Sequence, residues 1–82
     1  MSEGTALSTN EIEIYVPLRN EGTDVLRPTS GILLEPGVAR VVATQDYDPD
    51  VEEWEFLPGS TVRYVKEVRG GREILVARQR VA

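Results

Sequence analysis

From Glu11 to Arg19 apolar and polar residues alternate, with Ile12, Ile14, Val16 and Leu18 on one side of an extended chain and Glu11, Glu13, Tyr15 and Arg19 on the other. That period predicts a half-buried strand. Pro17 removes one ladder donor from it, so the strand is expected at a sheet edge, or with Pro17 where no bond is asked of its nitrogen. Asn20-Glu21-Gly22 reads as a turn. A short strand from Thr23 to Arg27 follows, broken by Pro28 and loosened by Ser30-Gly31, before Ile32, Leu33 and Leu34 resume an apolar run. Pro36-Gly37 then reverses the chain, and the β-branched stretch Val38 to Thr44 predicts the next strand.

Between Val51 and Leu57 the run VEEWEFL fits one helical turn or a short strand. Trp54 and Phe56 on one face, against Glu53 and Glu55 on the other, favour the strand. Pro58-Gly59 is a second Pro-Gly turn, and Thr61 to Val68 is again β-rich. Arg69-Gly70-Gly71-Arg72 is the strongest hairpin signal, because a type I′ turn needs positive φ at both central residues. Glu73 to Val81 supplies the last strand.

No ten-residue segment has helical period, and there is no internal repeat. The expected fold is all-β: five or six short strands in a small, partly open barrel of Src-homology-3-like type. Residues 1–10 read as a flexible N-terminus and residues 11–82 as one β-barrel domain. Its core is expected to draw on Ile12, Ile14, Val16, Leu18, Val41, Trp54, Phe56, Val62, Tyr64, Ile74 and Val76.

Composition narrows the chemistry. With 82 residues there is little chain to build a deep catalytic cleft. Cysteine and histidine are both absent, which removes disulfides and the two commonest transition-metal ligands, and leaves no serine or threonine with a histidine to activate it. No enzyme activity and no cofactor are therefore expected. The opening MSEGTALSTN has neither the basic nor the apolar region of a signal peptide, and the expected location is the cytoplasm.

A net charge of −5 opposes binding to phosphate backbones. The charge is uneven, however. Asp46 to Glu55 holds six acids and no base, whereas Arg63, Lys66, Arg69, Arg72, Arg78 and Arg80 crowd the C-terminal strands with only Glu67 and Glu73 among them. Asp46, Asp48 and Asp50 stand at the alternate spacing of a calcium loop, but the sixth and twelfth positions are Val51 and Leu57, so solvated acids are the plainer reading. Trp54 is either the bulky centre of the barrel or an exposed anchor for a partner, and its alternation with Glu53 and Glu55 favours the core.

Two resemblances accompany these residues. The stretch VVATQDYDPDVEEWEFLPGSTVRYVKEV, Val41 to Val68, resembles the first half of a Src-homology-3 domain. The likeness implies that Tyr47 takes the place of a ligand-stacking tyrosine, and that Asp50, Glu52 and Glu53 form an acidic loop able to pair a ligand's arginine. After Val68 the chain departs from that pattern, with no paired tryptophans and no proline-tyrosine pair, so the polyproline pocket of such domains is not assembled. The segments EIEIYVPLRNEGTDVLRP, YDPDVEEWEFLPGSTVR and ILVA are similar to a group of short bacterial proteins of unassigned function, which implies a small β fold in a bacterial cytoplasm.

Together these readings predict a non-enzymatic protein-interaction module, monomeric or a small homo-oligomer, with no membrane association. Its candidate partner-binding residues are Asp46, Tyr47, Asp48, Asp50, Glu52 and Glu53. The alternative is a nucleic-acid-associated barrel that uses the basic C-terminal strands.

Overall fold

The computed structural model describes residues 10–19 and 25–82; the expected flexible start, the Asn20-Glu21-Gly22 turn and the beginning of the Thr23 to Arg27 strand lie largely outside them. Five strands form: β1 (Glu11–Pro17), β2 (Leu26–Glu35), β3 (Val38–Val42), β4 (Thr61–Arg69) and β5 (Arg72–Arg80). Each pairs antiparallel with the next, and the ring closes where Tyr15 of β1 meets Val76 of β5 in parallel. The result is a small five-stranded all-β barrel, closed through one parallel pair. Among the described residues no helix is long and apolar enough to cross a membrane.

The backbone phase explains how two prolines fit. Leu33 donates to the Asn10 carbonyl and Leu18 to that of Val25, so in an antiparallel ladder the even-numbered residues of β1 bond to β2 and the odd-numbered ones turn away. Pro17 is therefore at a position where β2 asks nothing of its nitrogen. Its carbonyl still works, accepting the Glu55 N–H at 2.9 Å. Pro28 faces Tyr15 and shares that phase, so its backbone groups point toward β3, whose pairing with β2 starts only at Ser30. This is why Pro28 and Ser30-Gly31 do not break the strand, contrary to the sequence expectation, and β2 runs unbroken for ten residues. Gly31 has a separate role. A Cβ there would lie 3.0 Å from Ile14 Cδ1 and 3.4 Å from the Ala39 Cβ, so the missing side chain lets β1 and β3 converge over β2.

Between β4 and β5 the hairpin forms as the glycines predict, with φ of 58° at Gly70 and 80° at Gly71. A register shift between Arg63 and Tyr64 adds a bulge to this ladder. The expected strand Val38 to Thr44 ends two residues early, at Val42, and the last strand sits one residue earlier than expected at both ends.

Ile14, Val16, Val41, Trp54, Phe56, Val62 and Ala77 form the central cluster, with Ile12, Leu18, Tyr47 and Leu75 packed against it. Ile74 and Val76 are buried as expected, yet on the other face: Val76 lies opposite Tyr15 and Val65, and cross-strand partners share a face. Tyr64 is only half-buried; its hydroxyl accepts from the Gly37 N–H at 3.4 Å. Val38, Ala39 and Thr29 are buried without having been expected there. The Thr29 hydroxyl donates to the Val42 carbonyl, which satisfies its polar group.

Residues 51–57 are neither strand nor helical turn. They belong to an irregular connection that touches the barrel through one bridge, Trp54 to Leu18, flanked by Arg19 N–H to Glu53 carbonyl (2.7 Å) and Glu55 N–H to Pro17 carbonyl (2.9 Å). The short bridge is enough to fix the alternation. Trp54 and Phe56 point in, while Glu53 and Glu55 are exposed.

Trp54 is 1% exposed and is the largest fully buried side chain. Trp54→Ala is expected to cost about 3–5 kcal/mol, most of the stability of a domain this small. Val51→Ala, at a side chain 73% exposed in the same connection, should change it by less than about 0.5 kcal/mol. Urea unfolding of the two variants checks the contrast, and a Trp54→Ala protein as stable as the parent would refute the assignment.

Candidate functional site: an acidic loop and an outward groove

The connection from β3 to β4 carries the six candidate residues, and the barrel uses several of them for its own support. Tyr47 leans edge-on against Trp54, with ring centroids 4.8 Å apart and planes at 68°. Trp54 Nε1 donates to Glu52 Oε1 at 3.2 Å. The same Glu52 oxygen lies 3.5 Å from Nε of Arg27 on β2, whose Nη2 donates to both carboxylate oxygens of Asp46 at 2.8 and 3.0 Å. Arg27 thus clasps both ends of the loop. The Thr44 hydroxyl and the Arg27 guanidinium beside Asp46 hold its carboxyl below the usual aspartate range.

Asp48 serves the local backbone. Its side chain accepts from the Asp50 N–H at 2.9 Å, and its carbonyl accepts from Val51 and Glu52 at 2.9 and 3.0 Å. Asp46 and Asp48 are therefore turned to separate tasks, and among the described residues no group of three or more acids is placed to hold a metal ion. Asp48, Asp50, Glu53 and Glu55 are exposed. Of the six candidates, then, Asp46, Tyr47 and Glu52 are joined to Arg27 and Trp54, Asp48 to its own turn and Glu53 through its carbonyl to Arg19, while Asp50 and Glu53 are exposed.

Beside this loop a groove of about 910 Å³ crosses the outward face, lined by residues 11–13 of β1, 28–30 of β2, and 42–45 at and just after the end of β3. Its origin lies in side-chain length. The central strand turns Pro28 and Ser30 outward, both short; Ser30 lies between the longer Glu13 of β1 and Val42 of β3, and Glu11 borders the groove one row further on, opposite Ile32. Sequence reading placed Glu11 and Glu13 on the outward face of β1 but did not select them. What was missing was the pairing that sets Glu13 opposite the short Ser30, with Glu11 in the next row. Arg27 was missed for the same reason, since its partners lie 19 and 25 positions along the chain.

The basic strands are partly neutralised from within. Glu67 accepts from Arg78 Nε at 2.6 Å, from Arg78 Nη2 at 2.9 Å and from Arg69 Nη2 at 2.8 Å. Arg78 first, and then Arg69, hold the Glu67 carboxyl down from 4.5 to about 2. A group depressed in the folded state stabilises it above its ordinary pKa and loses that effect as pH falls through the folded value. The Glu67 contribution is thus complete above about pH 4.5 and disappears toward pH 2.

Comparison of the chain with protein-family models, curated proteins and solved structures gave no match. The class assignment therefore rests on the fold itself: a small five-stranded barrel, consistent with the Src-homology-3-like type.

A carbon-detected NMR titration should give Glu67 a midpoint of about 2, and Arg78→Gln should move it up toward 4.5. A midpoint already near 4.5 in the parent protein would mean that the Arg78–Glu67 pair does not persist in solution.

Proposed function

We propose that this barrel is a non-enzymatic protein-interaction module that presents an acidic face to a basic partner. One observation carries the reading: the loop is fixed by Arg27, Trp54 and its own turn, yet Asp48, Asp50 and Glu55 stay exposed on it, and residues 43–45 at its start line the groove that Glu11 and Glu13 border. A surface ordered before binding loses less conformational entropy on association, and its charge steers an oppositely charged partner. The nucleic-acid alternative is less well supported, because Glu67 sits among the basic strands and takes hydrogen bonds from two of their arginines. Lack of cysteine and the likeness to short bacterial proteins fit a role in a bacterial cytoplasm.

The test should spare Asp46 and Glu52, since removing them would release Arg27 and Trp54 as well. Asp48→Asn, Asp50→Asn and Glu55→Gln, combined with Glu11→Gln and Glu13→Gln, are expected to leave the melting temperature nearly unchanged. They should weaken association with lysine- and arginine-rich peptides by at least about tenfold at low salt. Equal binding by parent and variant would exclude the acidic face as the contact surface.

A further inference from the structure

We infer that the groove across β1, β2 and β3 seats one extended peptide segment carrying basic residues at alternate positions; this deepens the acidic-face reading and rests on it. The spacing of the groove wall is the first reason. Glu11 and Glu13 are two residues apart on one strand and on one face, so their Cα atoms are roughly 6.6 Å apart, the same as the i and i+2 side chains of another extended chain. A lysine or arginine at every second position of such a chain meets both carboxylates at once. Adjacent basic residues point to opposite faces and meet only one.

Width is the second reason. From β1 to β3 across β2 is two strand spacings, about 9.5 Å, which is room for one extended chain above the short Pro28 and Ser30 but not for a helix of ordinary diameter. Charge is the third. Both acids of the lining lie on the β1 side, whereas Val42 and Thr44 opposite are uncharged, and no basic residue lines the groove. Arg40, across Ile32 from Glu11, stands beyond the lining. Neither Glu11 nor Glu13 makes an ion pair among the described residues, so both carboxylates are available to a ligand. A partner segment would therefore set its basic side chains against β1 and small or apolar ones against Val42.

Two synthetic peptides of equal length and charge separate the possibilities, one with lysines at alternate positions in a neutral background and the other with the same lysines adjacent. Titrated at low salt into the isotope-labelled protein, the alternating peptide should bind at least about tenfold more tightly and shift the Ser30 and Val42 amides. Glu11→Gln with Glu13→Gln should abolish that preference at an unchanged melting temperature, and Asp48→Asn with Asp50→Asn should preserve it. Equal affinity for the two peptides would overturn the inference. Binding that depends on Asp48 and Asp50 but not on Glu11 and Glu13 would overturn it while leaving the acidic-face reading intact. Absence of binding by either peptide would overturn both.

Discussion

The burial of Trp54 is the constraint on which the other features depend. A five-stranded barrel built from strands of five to ten residues encloses little volume, and its interior here is furnished largely by valines, isoleucines and alanines. Trp54 supplies the bulk that those side chains lack, but it comes from outside the ladder, on an irregular connection. The chain must therefore hold a loop against the barrel without the help of a strand. It does so with one bridge to Leu18, two flanking backbone bonds, the edge-on contact with Tyr47 and the Glu52 carboxylate that takes the indole N–H.

From that constraint comes a second use for the acidic segment. Six acids in ten residues repel one another, and a cation set among them reduces the cost. Arg27 provides it, reaching from β2 to Asp46 and Glu52 at opposite ends of the loop. Exposed ion pairs stabilise little, so the effect of this clasp lies more in fixing where the remaining acids point than in holding the barrel together. Order and charge are thus combined in one surface. A similar arrangement on β4 and β5, with Glu67 between Arg78 and Arg69, offsets part of the basic charge of those strands.

Legibility in the sequence followed the range of the forces involved. Strand period, the Gly70-Gly71 hairpin and the inward pairing of Trp54 with Phe56 are local properties, and each reads directly from neighbouring residues. Pro28 and Gly31 looked like breaks because their tolerance depends on what lies across the ladder: an unpaired stretch opposite Pro28, and the side chains of Ile14 and Ala39 converging on Gly31. The phase of β5 was hidden for a related reason. Ile74, Leu75, Val76 and Ala77 are all apolar, so no alternation shows which of them face the barrel centre, and only pairing with β1 and β4 decides it. In the candidate site, the acids themselves were visible, whereas Arg27 and the groove beside Glu11 and Glu13 arise from contacts between distant segments.

Hydrogen exchange at the Trp54 indole N–H tests the central claim most directly, because that single proton reports whether the loop is closed on the barrel. With the ring 1% exposed and its nitrogen bonded to Glu52, exchange should require opening of the loop and be slowed by several orders of magnitude relative to a free indole. Exchange at the rate of free tryptophan, in a protein whose β1 to β5 amides remain protected, would show a barrel that stands without its loop and would contradict the account.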